Sequence, residues 1–314
     1  MIDQVRPASS GRFERSCFGS SDTMTAQEIV GLALKSSIML TLFGFGLQAT
    51  FEDLLFLVRR PQMLVKSLGA IFIIMPLFAI LMTNAFSLNS TVVTALIALS
   101  ISPIPPLLPK KVTKSGGRAS YELGLMVIAA ALSIAFIPMA VYVVGKYFDR
   151  PFAMESSAVA KVIVLSVLLP LAAGMLIHRV APAKAERIAH PLIRVAGIVL
   201  LIGVLCILVF ALPTAWSLIG DGTILAFIAF VIVGLAVGHL LGGPDSDDRA
   251  ALALSTACRH PGLAIAIAGA NMPEDHHVVS AVLLYVITNV FFTIPYIAWQ
   301  RKRAVGTVAI AGHS

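Results

Sequence analysis

Between Leu123 and Gly145 the chain carries no Asp, Glu, Lys or Arg. A helix that long and that apolar belongs in a bilayer, because about 20 residues rising 1.5 Å each span a hydrocarbon core of roughly 30 Å. The same test is met near residues 28–49, 62–84, 90–109, 121–146, 158–178, 192–213, 223–243, 250–271 and 278–300. None of these windows alternates polar and apolar residues as the strands of a membrane barrel do. The sequence therefore predicts an all-α integral membrane protein with nine transmembrane helices. Composition points the same way: of 314 residues 58% are apolar and 12% charged. That is about half the charged share of an ordinary soluble domain, too little to face water on all sides.

Several function classes drop out at this stage. Cys17, Cys206 and Cys258 are widely spaced and form no metal-ligand or disulfide framework. The net charge of +7 lies in short runs between apolar spans, which excludes a nucleic-acid partner and leaves the lipid bilayer as the main one. His276 and His277 adjoin Glu274 and Asp275 in a loop and read as a solvated turn. Asp245, Asp247 and Asp248 read as caps of the eighth helix rather than calcium ligands. No metal site, cofactor or enzyme is predicted. Residues 1–25 are polar and lack the apolar run of a signal peptide, so they read as a tail. Residues 26–300 form the transmembrane domain, and 301–314 a cytoplasmic C-terminal tail.

Orientation follows from the cationic loops. One set holds Arg59, Arg60, Lys110, Lys111, Lys114, Arg118, Arg179, Lys184, Arg187, Arg249, Arg301, Lys302 and Arg303; the other holds Arg6, Arg12, Arg15, Lys146 and Arg150. With nine spans in a bacterial inner membrane, the N-terminus is placed outside and the C-terminus in the cytoplasm. Between the first two spans, residues 51–60 separate apolar from charged faces as an interfacial helix does. Pro61 then opens the next helix, where its missing N–H is harmless.

Two spans are interrupted. The third reads Ser102-Pro103-Ile104-Pro105-Pro106-Leu107-Leu108-Pro109-Lys110-Lys111, and a regular helix does not accommodate four prolines in seven residues. The eighth reads Ser255-Thr256-Ala257-Cys258-Arg259-His260-Pro261-Gly262. Unwound backbone at membrane depth is tolerated only inside protein or along a wet cavity, and paired interruptions point to a transporter's midplane site. Each interrupted span is followed by one more span, which suggests two inverted repeats. Two plainer readings stay open: a loop over Pro103–Pro109, and a simple proline kink at Pro261.

An arginine inside a span costs at least about 2.5 kcal/mol, so Arg259 needs a partner or a task. Glu122, at the head of the fourth span, is the best available acid, and the two are expected to face each other across the core. Glu122 also fits a residue at a helix start. His260 fits a donor to an anion, a proton shuttle, or a ring satisfied by the backbone.

These residues resemble the bile acid:sodium symporter family. Gly46-Leu47 followed by Asp53, then Pro61 and Met75-Pro76, match its early landmarks. Ser102-Pro103 lies where the family has a Cys-Pro-Gly-Gly stretch, and Arg259-His260-Pro261-Gly262-Leu263-Ala264 where it has a Gln-Asn pair followed by Leu-Ala. The resemblance implies a panel domain and a core domain with two crossing broken helices, and alternating-access transport of a small organic anion, usually coupled to sodium. It also implies departures. Family sodium ligands become Leu108-Pro109, Glu122 in place of a serine, Ser255 in place of the key glutamate, Arg259-His260, and Ile71 in place of a glutamine. Few oxygen ligands for sodium remain, and two positive charges about 4 Å apart repel by roughly 4 kcal/mol at an effective dielectric near 20. The chain thus reads as a symporter-like secondary carrier in which Arg259 replaces a bound cation, with Glu122 or His260 available for proton coupling. A channel or receptor of the same fold is the competing class. The candidate substrate- and ion-binding residues are Arg259, His260, Glu122, Ser255, Ser102, Pro103, Lys110 and Asn289.

Overall fold

The computed structural model describes residues 26–149, 152–220, 222–275 and 277–311, and among them every regular element is helical. The tail before residue 26, Arg150 and His276 lie outside the described residues. Helix α1 (Ala26–Gly46) is followed by α2 (Phe51–Leu55), whose Thr50 and Asp53 form a reciprocal capping box. The short helix expected over residues 51–60 is present only over Phe51–Leu55, and residues 56–59 form turn. Pro61 opens α3 (Pro61–Gly69) at its first position. A π-helical turn, Ala70–Ile74, joins α3 to α4 (Met75–Ala85).

Then come α5 (Ser90–Ile101), α6 (Leu108–Lys114), α7 (Ala119–Tyr147) and α8 (Ser156–Ile163), which passes through a second π-helical turn into α9 (Leu169–Val180). The chain ends with α10 (Pro182–Ser217), α11 (Thr223–Leu241), α12 (Ser246–Ala257), α13 (Pro261–Asn271) and α14 (Val278–Ala311). The last of these continues as helix to Ala311, inside the segment read as a C-terminal tail.

Among the described residues, eight helical stretches are long and apolar enough to cross a membrane. Their outer faces carry exposed apolar side chains such as Leu77, Val209 and Leu240, which only lipid can cover. The third window behaves differently. Its helix stops at Ile101 after 12 residues, about 18 Å of rise, too short to cross alone. Ser102 to Leu107 are not α-helical, and Pro109 sits inside the first turn of α6 rather than in the break. The eighth window is 72% buried, the highest share of any span, and Cys258 to His260 separate its two helices.

Two packing groups organise these elements. Helices α1, α9 and α10 lie against one another, while α5, α13 and α14 pack together and α11 lies along α12. Glycine makes the tightest contacts possible. Gly234, Gly238 and Gly242 form a stripe on α11, and a Cβ at Gly238 would fall on the Leu252 carbonyl and 2.5 Å from the Ala253 Cα.

The aspartates at the start of α12, Asp245 at the cap position and Asp247 and Asp248 in the first turn, make no side-chain cap bond. The carboxylates turn instead to Arg118, whose guanidinium lies 2.8 Å from Asp247, 3.1 Å from Asp248 and 3.6 Å from Asp245. Arg60 adds a contact at 3.6 Å to Asp248 and stacks, with Arg118, on the Phe56 ring. Asp248 is buried, and a full positive charge compensates it better than the ends of backbone N–H dipoles. This cluster ties the start of α3, α7 and α12 into one end of the molecule.

Because α11 and α12 touch backbone to backbone, Gly238→Ala is expected to overpack the contact. It should lower stability by about 1–3 kcal/mol, read as a fall in the unfolding midpoint of the detergent-solubilised protein.

Candidate functional site

The two breaks meet. The His260 N–H donates to the Pro103 carbonyl at 2.9 Å, so the main chain of one interruption satisfies the other. Proline explains why each break exists. Pro103, Pro105 and Pro106 end α5, while Pro261 at the start of α13 stops α12 from running through. Ser102 closes α5 with its hydroxyl on the Leu99 carbonyl, leaving its own carbonyl free.

Arg259 fills the space between them. It is 2% exposed, and its guanidinium donates to the Ser102 carbonyl at 3.3 Å and to the Ile71 carbonyl at 3.2 Å. The second acceptor has a covalent origin. In the π-helical turn the Met75 N–H bonds the Ala70 carbonyl, and the next donor in that pattern would be residue 76, a proline with no N–H. The Ile71 carbonyl is thereby left over for the guanidinium. Arg259 Nε has no hydrogen-bond partner among the described residues.

The expected face-to-face pairing of Arg259 with Glu122 is not what the structure holds. No ion pair within 4.0 Å joins them among the described residues. Glu122, fully buried, accepts a short hydrogen bond of 2.5 Å from the Ser255 hydroxyl, one helical turn before Arg259. The arginine is instead satisfied by main-chain oxygens, which the proline-disrupted helices supply without a second buried charge. Glu122 Oε1 has no partner among the described residues.

His260 caps α13, its Nδ1 accepting from the Leu263 N–H at 3.2 Å. Asn289, on α14, donates to the Ala257 carbonyl at 2.9 Å and accepts from Cys258 Sγ at 3.3 Å and Lys111 Nζ at 3.2 Å. Lys110 points elsewhere, toward α10. Of the candidate residues, Arg259, His260, Ser102 and Pro103 meet where the two breaks join, Asn289 joins through the end of α12, and Glu122 with Ser255 forms a neighbouring pair.

Sequence reasoning missed Tyr285 and Lys111. The Tyr285 hydroxyl donates to the Ala257 carbonyl at 2.8 Å and accepts from the Arg259 N–H at 2.9 Å, bridging the gap in the helix. Its spacing of four residues from Asn289 places both on one face of α14. That was the available signal. A cavity of about 350 Å³ runs along α5, α7 and α13 from Leu88 and Asn271 to Ile101; Ser102, Pro103, Arg259 and His260 are not among its lining residues.

The profile of the Sodium Bile acid symporter family matches residues 36–221. The chain belongs to that family. Its members are transporters, so the protein is an integral membrane transporter and not an enzyme. The matched segment includes the first break and Glu122; the second break lies beyond it. The chain is also similar to the uncharacterized sodium-dependent transporter YocS of Bacillus subtilis, 23% identical over 250 residues that cover 77% of this chain and 75% of YocS. The P3 protein of Bos taurus is 25% identical over 203 residues, covering 62% of this chain and 41% of that protein.

Tyr285→Phe removes the hydroxyl that serves both sides of the gap: the buried Arg259 N–H loses its acceptor, while the Ala257 carbonyl keeps the bond from Asn289. A loss of about 1–3 kcal/mol is expected, measured by thermal unfolding, with the helical circular dichroism at low temperature unchanged.

Proposed function

We propose that this family member is a secondary active carrier of a small organic anion, working by alternating access in a bacterial inner membrane without sodium coupling. The observation that carries the reading is Arg259, buried at the meeting of two helix breaks and held by the carbonyls of Ser102 and Ile71. Neutral oxygens around a buried positive charge are the surroundings a bound cation would need, and here the cation is covalently part of the chain. A permanent charge at that point repels sodium and attracts a carboxylate or sulfonate. Arg259 Nε is the donor left for it. The apolar cavity beside Ile101 suits the organic portion of such a solute.

In this reading α5–α6 supplies the third of nine crossings, and α12–α13 is its counterpart in an inverted repeat. Helices α1, α8–α9 and α10 form a panel against which the remaining helices, the core, rock. The N-terminus is outside and the C-terminus cytoplasmic. Arg259, His260, Ser102, Pro103 and Asn289 line the crossing; Lys110 extends the binding surface toward the panel. The relative YocS is described as sodium-dependent, and the proposal is that this chain departs from it at Arg259.

Uptake of organic anions by proteoliposomes, at fixed pH, is expected to survive replacement of sodium by choline within about twofold. A strong requirement for sodium would overturn the reading.

Coupling to protons through Glu122 is a second reading, favoured by one observation. This carboxyl is fully buried, bonded to Ser255, and has no cation within salt-bridge distance among the described residues. An isolated buried carboxylate is costly, so a proton gained and lost there would couple to movement of the core. Glu122→Gln keeps the shape and the hydrogen bond to Ser255. It is expected to abolish accumulation driven by a pH gradient while counterflow exchange continues; accumulation unchanged in the variant would exclude Glu122 as the coupling group.

A further inference from the structure

Of the three lysines on α6, Lys110 and Lys114 are exposed and Lys111 is half-buried. The Lys111 ammonium turns inward to the second break, 3.2 Å from Asn289 Oδ1 and 3.9 Å from Cys258 Sγ. Both of those partners are buried. A lysine that only anchored a helix end would extend its ammonium into water. This one reaches a buried amide and a buried thiol instead.

Its charge is not neutralised there. Among the described residues no carboxylate lies within 4.0 Å of Lys111, and both of its hydrogen-bonding partners are uncharged. An ammonium has three donors. The amide oxygen takes one, the sulfur engages a second at long range, and the third has no partner among the described residues. Asn289 Oδ1 does not depend on the lysine, since Cys258 Sγ also donates to it at 3.3 Å. It can release the ammonium and stay bonded. Arg259 is placed differently: it is buried, and both terminal nitrogens of its guanidinium are held by carbonyls. Of these two cations bonded at the breaks, Lys111 is the accessible one.

We propose that Lys111 is a specificity-determining residue of the carrier, whose ammonium exchanges the Asn289 amide for the carboxylate of the transported anion. The inference rests on the reading of the chain as an organic-anion carrier and deepens it by assigning the first contact with the solute's negative group. It requires no reach from the solute to Arg259. A charged acceptor replaces a neutral one, which makes the hydrogen bond about twice as strong. Because Asn289 also donates to the Ala257 carbonyl at 2.9 Å, occupancy of Lys111 is felt at the end of α12 through one side chain.

The purified full chain is titrated in a neutral maltoside detergent at about pH 7.5, where simple carboxylic acids are ionised. The probes are hexanoate, benzoate and cyclohexanecarboxylate, each beside its uncharged amide. At least one carboxylate is expected to bind about tenfold or more tightly than its amide, the scale by which a charged acceptor outdoes a neutral one. Lys111→Gln should bring that ratio toward one, and Lys111→Arg should retain most of it. Lys114→Gln, which removes an exposed cation from the same helix, should leave it unchanged. Asn289→Asp gives the ammonium an internal carboxylate. A lysine that merely tied α6 to α14 would leave that variant binding as the native chain does; an anion receptor so occupied should lose about tenfold or more in carboxylate affinity. The unliganded unfolding midpoint of each variant establishes that it folds.

Equal binding of carboxylate and amide by the native chain overturns the proposal. So does a preference that survives Lys111→Gln, and so does native affinity in Asn289→Asp. Sodium-dependent uptake would defeat the coupling argument without altering this ratio. Loss of the ratio with sodium-independent uptake intact would defeat the assignment of Lys111 alone, so the two failures are distinguishable.

Discussion

A guanidinium inside a membrane protein must be surrounded by oxygen, and in this fold the oxygen comes from the main chain. The Ser102 carbonyl is free because prolines end α5, and the Ile71 carbonyl is free because Pro76 has no N–H to offer in the π-helical turn. Arg259 thus joins three elements that the covalent chemistry of proline has each left one bond short. Removing any of these prolines would return a carbonyl to its own helix and take an acceptor from the arginine. The crossing, the π turn and the buried charge are consequently one arrangement rather than three.

The neighbouring pair of Glu122 and Ser255 fits the same economy of charge. The family resemblance places a serine where Glu122 stands and a glutamate where Ser255 stands; here the hydroxyl and the carboxyl face each other across α7 and α12 with their positions exchanged. A carboxyl on α12 itself would have stood one turn from Arg259 and competed with the carbonyls for it. On α7 it is held by a hydroxyl, and the arginine remains bound to main chain. The site keeps one carboxyl and gains one cation.

Much of this was legible in the sequence because proline and apolar length act locally. The interrupted third and eighth segments, the helix start at Pro61 and the short helix after Thr50 all follow from residues within a turn of the effect. What was not legible depends on distant partners. The aspartates at 245–248 have the composition of a helix cap, and only the arrival of Arg118 from another helix redirects them. Pro76 reads only as a landmark of the family resemblance until Arg259 is seen to take the carbonyl it frees. Expecting Arg259 to face Glu122 failed for a related reason: a buried cation was assumed to seek an acid, and backbone oxygen sufficed.

The hydrogen bond from His260 to the Pro103 carbonyl has a mechanical consequence. Prying α13 from α5 would strand a donor and an acceptor where no water can reach them, and would loosen the seat of the arginine at the same time. That seam is welded. Slippage between parts of the molecule is cheaper where helices meet through hydrocarbon alone, as along much of α10, whose outward side chains trade one apolar neighbour for another at little cost. The breaks that look like the weak points of the chain are therefore its rivets, tied to one another by main-chain hydrogen bonding.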